Sequence, residues 1–164
     1  MTIAESWAVI ADASAPAAPG TKEDVAGVEE AVGASLPEDV KESLLLHDGL
    51  GEAEAWELLP GSDERPLGGW ILSCEEIRDE WGIWKDLYDS DNDEWADEWW
   101  TPNLVPLVSD GAGHSLCADV KNGGLVDMDH EMGPTRTGFG SWADYLATVA
   151  ANVEGRAGAS GVWA

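Results

Sequence analysis

Basic residues are what this chain most lacks. Only eight Lys and Arg stand against 33 Asp and Glu, so the formal net charge is −25, and none of the eight cluster. A protein that binds DNA or RNA directly needs a basic stripe to displace counterions. Direct nucleic-acid binding is therefore not expected, and the same repulsion argues against an anionic membrane surface. No hydrophobic run approaches the roughly 20 residues of a membrane span. Residues Met1 to Asp12 carry Glu5 and no basic residue ahead of their apolar positions, so no secretory leader is expected. Cysteine is scarce as well: Cys74 and Cys117 are far apart, with no CxxC spacing. Reduced thiols in a cytoplasmic protein are the expectation.

What is present is enough for a core. The chain has 164 residues, 44% hydrophobic, with ten Trp, which fits one domain rather than a disordered acidic tail. At this mass the folded surface should be roughly 7,900 Å², or about 310 Å² per net negative charge.

Residues 1–20 read as an N-terminal turn holding Trp7 and Ile10, followed by the Pro-broken linker ASAPAAPG from Ala13 to Gly20. Residues 21–154 form the expected domain, and 155–164 a flexible Gly/Ala-rich tail. Thr21 with Asp24 resembles a capping box, and Val25, Val28 and Val32 then mark one helical face that ends at Gly33. A second helix is predicted from Pro37, at its first position, with Val40, Leu44 and Leu45 inward and Gly49 left-handed after its end. A short strand is expected at Trp56–Leu59 and another at Gly69–Leu72. The best-marked helix opens at Ser73 or Cys74. It places Ile77, Trp81 and Trp84 at i, i+4 and i+7, with Leu87 and Tyr88 after them.

From Val105 the apolar period becomes two. Strands are predicted at Val105–Ser109, Ser115–Val120 and Leu125–His130, the last two joined by an Asn122-Gly123 hairpin. Ser141 then caps a helix with Trp142, Leu146, Val149 and Val153 inward. The order implies α+β: N-terminal helices and a C-terminal helix packed on a mainly antiparallel sheet, with a meander at about 105–130.

Motifs for chemistry are missing. Asp89-Ser-Asp-Asn-Asp93 begins like a calcium loop, but Glu94 stands where Gly is required and Trp100 where a bidentate Glu is required. His114 and His130 lack zinc-site spacing. Gly113-His-Ser-Leu-Cys117 lacks the second glycine of a nucleophile elbow, and Gly111-Ala-Gly113 the third glycine of a dinucleotide loop. Cys117 reads as a small buried hydrophobe. No catalytic residue, metal ligand or cofactor is therefore assigned.

One segment points to binding. Glu75 to Trp100 holds eleven acidic residues and two basic ones, and Trp95, Trp99 and Trp100 interrupt the acids. Aromatics dominate interface hot spots, and charged rims govern association rate and partner choice. The candidate partner-binding residues are Asp89, Asp91, Asp93, Glu94, Trp95, Asp97, Glu98, Trp99 and Trp100, with Asp110 on the neighbouring loop. Packing of the tryptophans over the core is the competing reading.

The ordered motifs resemble the SUKH superfamily, the Smi/Knr-type domain, over about Thr21 to Val153. Its carriers are Glu29 with Gly33 and Leu36-Pro37, His47-Asp48-Gly49, and Ile71–Ile77 leading into Trp81 and Trp84. They continue with Trp99-Trp100, Pro102 and Val105-Pro106, then Ser109-Asp110-Gly111 through Leu116 and Asp119, and Asp129-His130-Glu131. Ala112, His114 and Leu104 depart from the usual pattern. The resemblance implies helices on a mainly antiparallel sheet and no known catalysis. Fungal members regulate cell-wall assembly, and bacterial members look largely like immunity proteins that neutralise a toxin, often a nuclease. The Ala/Gly/Asp/Trp-rich composition suits a GC-rich bacterium. The expectation is a cytoplasmic immunity protein that binds a cationic toxin domain. The alternatives are a regulatory or scaffold domain with an endogenous partner, and a ligand pocket near Asp110–His114 and Asp129-His130.

Overall fold

Thr2 opens the first helix with a reciprocal cap: its hydroxyl accepts from the Glu5 N–H at 3.1 Å, and the Glu5 carboxylate accepts from the Thr2 N–H at 2.7 Å. The computed structural model describes residues 1–55, 69–90 and 99–158. The segment read as an N-terminal turn is a ten-residue helix, α1 (Ile3–Asp12). Ile3, Trp7 and Ile10 recur at helical spacing and are buried. The Trp7 indole donates to Ser43 Oγ at 2.8 Å, and α1 packs against the second of the following helices and the last one. The Pro/Ala stretch after it is pinned. Gly20 donates to the Leu44 carbonyl, Ala17 to that of Gly49, and Asp48 to that of Ala18.

Helix α2 (Lys22–Val32) has the expected Thr21–Asp24 capping box and ends on left-handed Gly33. Helix α3 (Glu38–Leu46) starts one residue later than expected, with Pro37 as its cap. A single turn, α4 (Glu52–Ala55), precedes β1 (Trp70–Ile71), and Leu50 bridges Ile71. Gly49 is required there: at φ +91°, a Cβ would lie 2.6 Å from the Ile71 carbonyl oxygen. The strand expected at Trp56–Leu59 lies outside the described residues.

Helix α5 (Cys74–Ser90) follows, then β2 (Leu104–Ser109), β3 (His114–Asp119), β4 (Leu125–Asp129), β5 (Gly133–Arg136) and α6 (Trp142–Gly158). The strands form one antiparallel sheet in chain order, β1 to β5. β2 is buried along its whole length, and its register shifts between Pro106 and Val108. α5 packs on β2 and on α2, while α6 packs on α1 and α3. Strand β5, which begins Gly-Pro, is an addition to the expected meander. α6 runs on through Gly155 to Gly158, where fraying was expected.

Three partly buried carboxylates and the fully buried Asp119 stitch these elements together. Glu29 accepts from Leu36 N–H at 2.8 Å, Asp48 from Cys74 N–H at 2.7 Å, and Asp39 from Ala143 N–H at 2.9 Å. Asp119 accepts from Asn103, Lys121 and Asn122 and pairs with Arg136. Burial pushes its pKa up, but the Asn122 N–H, the Asn103 and Asn122 amides and the Lys121 N–H outweigh burial and hold it at about 2. Several acidic residues that carry the family resemblance are thus structural acceptors.

Candidate protein-binding face

Helix α5 is two-faced. Ser73 caps it, donating its N–H to Glu76 at 2.8 Å and accepting the Glu76 N–H at 3.2 Å. Ile77, Trp81 and Trp84 turn inward as predicted. Leu87 does not: it is 51% exposed, and Ile83, one turn before it, is 59% exposed. Asp79, Ile83, Asp86, Leu87 and Ser90 share one outward stripe at helical spacing, and all five are exposed. Glu75, Glu76 and Asp89 are exposed on the same helix. Its two cations are partly engaged: Lys85 chelates Asp89 at 2.6 Å, and the Arg78 guanidinium lies over Gly27 of α2.

The two described tryptophans of the candidate set separate. Trp100 is 1% exposed and sits among Trp81, Trp84 and Tyr88, with ring centroids 5.8–6.3 Å away. It is a core residue and offers no surface to a partner, so its assignment as an anchor is corrected. Trp99 is half-buried. One side rests on Trp84, with centroids 5.0 Å apart, and its indole N–H donates to the His130 carbonyl at 2.8 Å. It joins α5 to the β4–β5 turn and keeps part of its ring accessible.

Asp110 is also turned to internal work. Its Oδ1 accepts from Ala112 N–H at 2.7 Å and His114 N–H at 3.0 Å, shaping the β2–β3 turn. Its Oδ2 lies 3.3 Å from His114 Nδ1. Asp129 accepts from Glu131 N–H at 2.7 Å; this bond, against the opposing effect of burial, lowers its pKa, aided by Met132 N–H and His114. Asp91, Asp93, Glu94, Trp95, Asp97 and Glu98 lie outside the described residues.

Neither cysteine has the setting of a nucleophile. Burial, then a contact with Asp48, pushes the Cys74 thiol up to about 12, and burial raises Cys117 as well. The exposed stripe on α5 was missed because Leu87 follows Trp84 within a turn and reads as its continuation. Ile83 was the available signal, an apolar residue on the wrong side of the helix.

An α+β domain with a solvent-facing, acidic helix beside a two-faced tryptophan has the form of a protein-binding module. Residues 19–148 match the SMI1 / KNR4 family (SUKH-1), and the chain belongs to that family. Membership of this family supports a non-catalytic protein-binding domain in broad terms. No curated protein matches the chain. Among the described residues, no helix is long and apolar enough to cross a membrane.

Proposed function

We propose that the protein is an immunity protein, acting in the cytoplasm, that captures a cationic toxin domain, of a nuclease by its chemistry, on the outward face of α5. The observation that carries this reading is the pairing of two exposed aliphatic side chains, Ile83 and Leu87, with the carboxylates of Glu75, Glu76, Asp79 and Asp86 on one helix. Isolated exposed apolar residues need no explanation, but an apolar pair one turn apart inside an acidic rim matches the anatomy of a protein interface. An enzyme that cuts nucleic acid presents positive charge to phosphate, so its active face attracts a chain of charge −25. A standard interface takes about 800 Å² per partner. Steering by such a field raises association toward ~10⁸–10⁹ M⁻¹s⁻¹ at low salt, which suits neutralisation of a toxin made in the same cell. Of the remaining partner-binding candidates, Asp89 lies exposed on α5 and Trp99 keeps part of its ring accessible, so both extend the proposed surface. Asp91, Asp93, Glu94, Trp95, Asp97 and Glu98 lie between them in sequence, outside the described residues.

The test is a pull-down with the product of the gene adjacent to this one, followed by stopped-flow association at two ionic strengths. Capture of a basic toxin domain is expected. Asp79→Asn with Asp86→Asn should slow association at low salt, and Ile83→Asp should speed dissociation. Capture of an endogenous, non-toxic protein instead would favour a regulatory role. A true partner whose association rate ignores salt would remove the steering argument.

A further inference from the structure

His114 and Asp129 are fifteen positions apart in the chain, a spacing that marks no metal motif. The sheet cancels that separation. His114 and Asp129 are directly opposed in the β3–β4 ladder, and His130 is the next residue. One ligand atom from each of the three lies within 4.8 Å of the others. We propose that His114, Asp129 and His130 bind a divalent transition-metal ion of the zinc class, with Asp110 as the carboxylate that positions His114.

Four features support the assignment. First, His114 Nε2 already lies 2.8 Å from Asp129 Oδ2. Tetrahedral zinc at ~2.0–2.1 Å from its ligands sets them about 3.3 Å apart, so the ion takes the place of the proton between these two atoms. Second, Asp110 Oδ2 faces His114 Nδ1 at 3.3 Å, and its Oδ1 is held by two backbone N–H groups. That carboxylate keeps the proton on Nδ1 and presents Nε2 for coordination, the usual arrangement behind a metal-bound imidazole.

Third, Asp129 Oδ1 accepts from Glu131 and Met132 N–H, which orients Oδ2 toward the imidazoles. Fourth, the backbone is cut to fit His130. Gly113 is at φ +98°, and a Cβ there would lie 2.2 Å from His130 Nδ1. The two imidazoles stand perpendicular with centroids 6.4 Å apart. The His130 N–H donates to the Gly113 carbonyl at 3.0 Å, and its own carbonyl accepts from Trp99. His130 is exposed, so its ring is the ligand able to close the remaining distance.

Two imidazoles select a borderline metal over calcium or magnesium, which prefer oxygen alone. Three protein ligands leave a position for water. The ion would clip the β2–β3 turn to the β4–β5 turn. This proposal is independent of the toxin-binding reading and stands or falls separately from it.

The experiment titrates chelator-washed full-length protein with ZnCl₂ against a chromophoric chelator. One tight ion per chain is expected, undisturbed by excess Mg²⁺. That binding should be lost in His114→Ala and in His130→Ala, and weakened about tenfold to 100-fold in Asp110→Asn. It should be unchanged in Glu42→Gln, which alters an exposed carboxylate on α3. In case the alanine variants misfold, one equivalent of ZnCl₂ added to the wild-type chain should shift the imidazole NMR signals of His114 and His130 and spare those of His47. Undiminished tight binding in a folded double variant would assign the ion to surface carboxylates and overturn the proposal. So would zinc that leaves both imidazole signals in place, or an absence of tight binding.

Discussion

Replacing Asp119 with Asn keeps the side chain's volume and removes its charge at a point where nearly every neighbour is a donor. Oδ1 accepts from Asn103 Nδ2 at 2.9 Å, Asn122 N–H at 2.9 Å and Lys121 N–H at 3.1 Å. Oδ2 accepts from Asn122 Nδ2 at 3.1 Å and pairs with Arg136. Whichever way an asparagine amide turns, its NH₂ meets other donors. The pKa held at about 2, against an ordinary 3.8, corresponds to about 2 kcal/mol favouring the folded, ionised form. Breaking a buried charge network by removing one partner costs about 3–5 kcal/mol. A loss near 3 kcal/mol at neutral pH, or a melting point lower by about 6–12 °C for a chain of this size, is therefore expected for Asp119→Asn.

The pH dependence has a definite sign. The folded pKa is depressed, so the contribution is complete above about 3.8 and is lost as pH falls toward and through about 2. Asparagine does not titrate. The stability gap between wild type and variant, measured by urea unfolding, should thus narrow by about 2 kcal/mol between neutral pH and pH 2. The gap is the right readout because a chain of charge −25 relieves self-repulsion as its other carboxylates protonate, so absolute stability mixes both effects. A gap under about 0.5 kcal/mol at neutral pH, or one constant in acid, would refute the reasoning.

Two further outcomes test the burial assignments. Trp100→Ala should cost about 3–5 kcal/mol in chemical denaturation, whereas Ile83→Asp, at an exposed site, should change stability by no more than about 0.5 kcal/mol. Cys74 and Cys117 should resist a thiol reagent at neutral pH in the folded chain and react fully in denaturant, because burial disfavours both thiolates. Rapid labelling of either in native protein would contradict that.

Much of the architecture was legible where a signal repeats locally. The capping box at Thr21, the Ile77–Trp81–Trp84 spacing, the Asn122-Gly123 turn and the Trp142–Val153 face each encode their element within a few residues. The Thr2–Glu5 box and the Ile3, Trp7, Ile10 spacing were equally readable and encode α1, where a short turn ahead of the Pro/Ala linker was expected. Strand β5 was harder to find. It opens with Gly133-Pro134, residues that ordinarily break a strand and are tolerated on an outer one. Of the candidate binding residues, Asp89, Trp99 and Asp110 are both described and placed with accessible surface, Asp110 being committed to the β2–β3 turn, and α5 adds Ile83 and Leu87 to them.

Charge, the α+β order and the helix caps are properties of short stretches of chain, and the sequence alone determined them. Which face of Trp99 meets solvent, why Trp100 meets none, and why His114 stands opposite Asp129 are decided by residues distant in the chain. Local periodicity reports that a side has neighbours. Strand register and helix docking decide which neighbours they are, because they are set by the packing of the whole core rather than by any one segment.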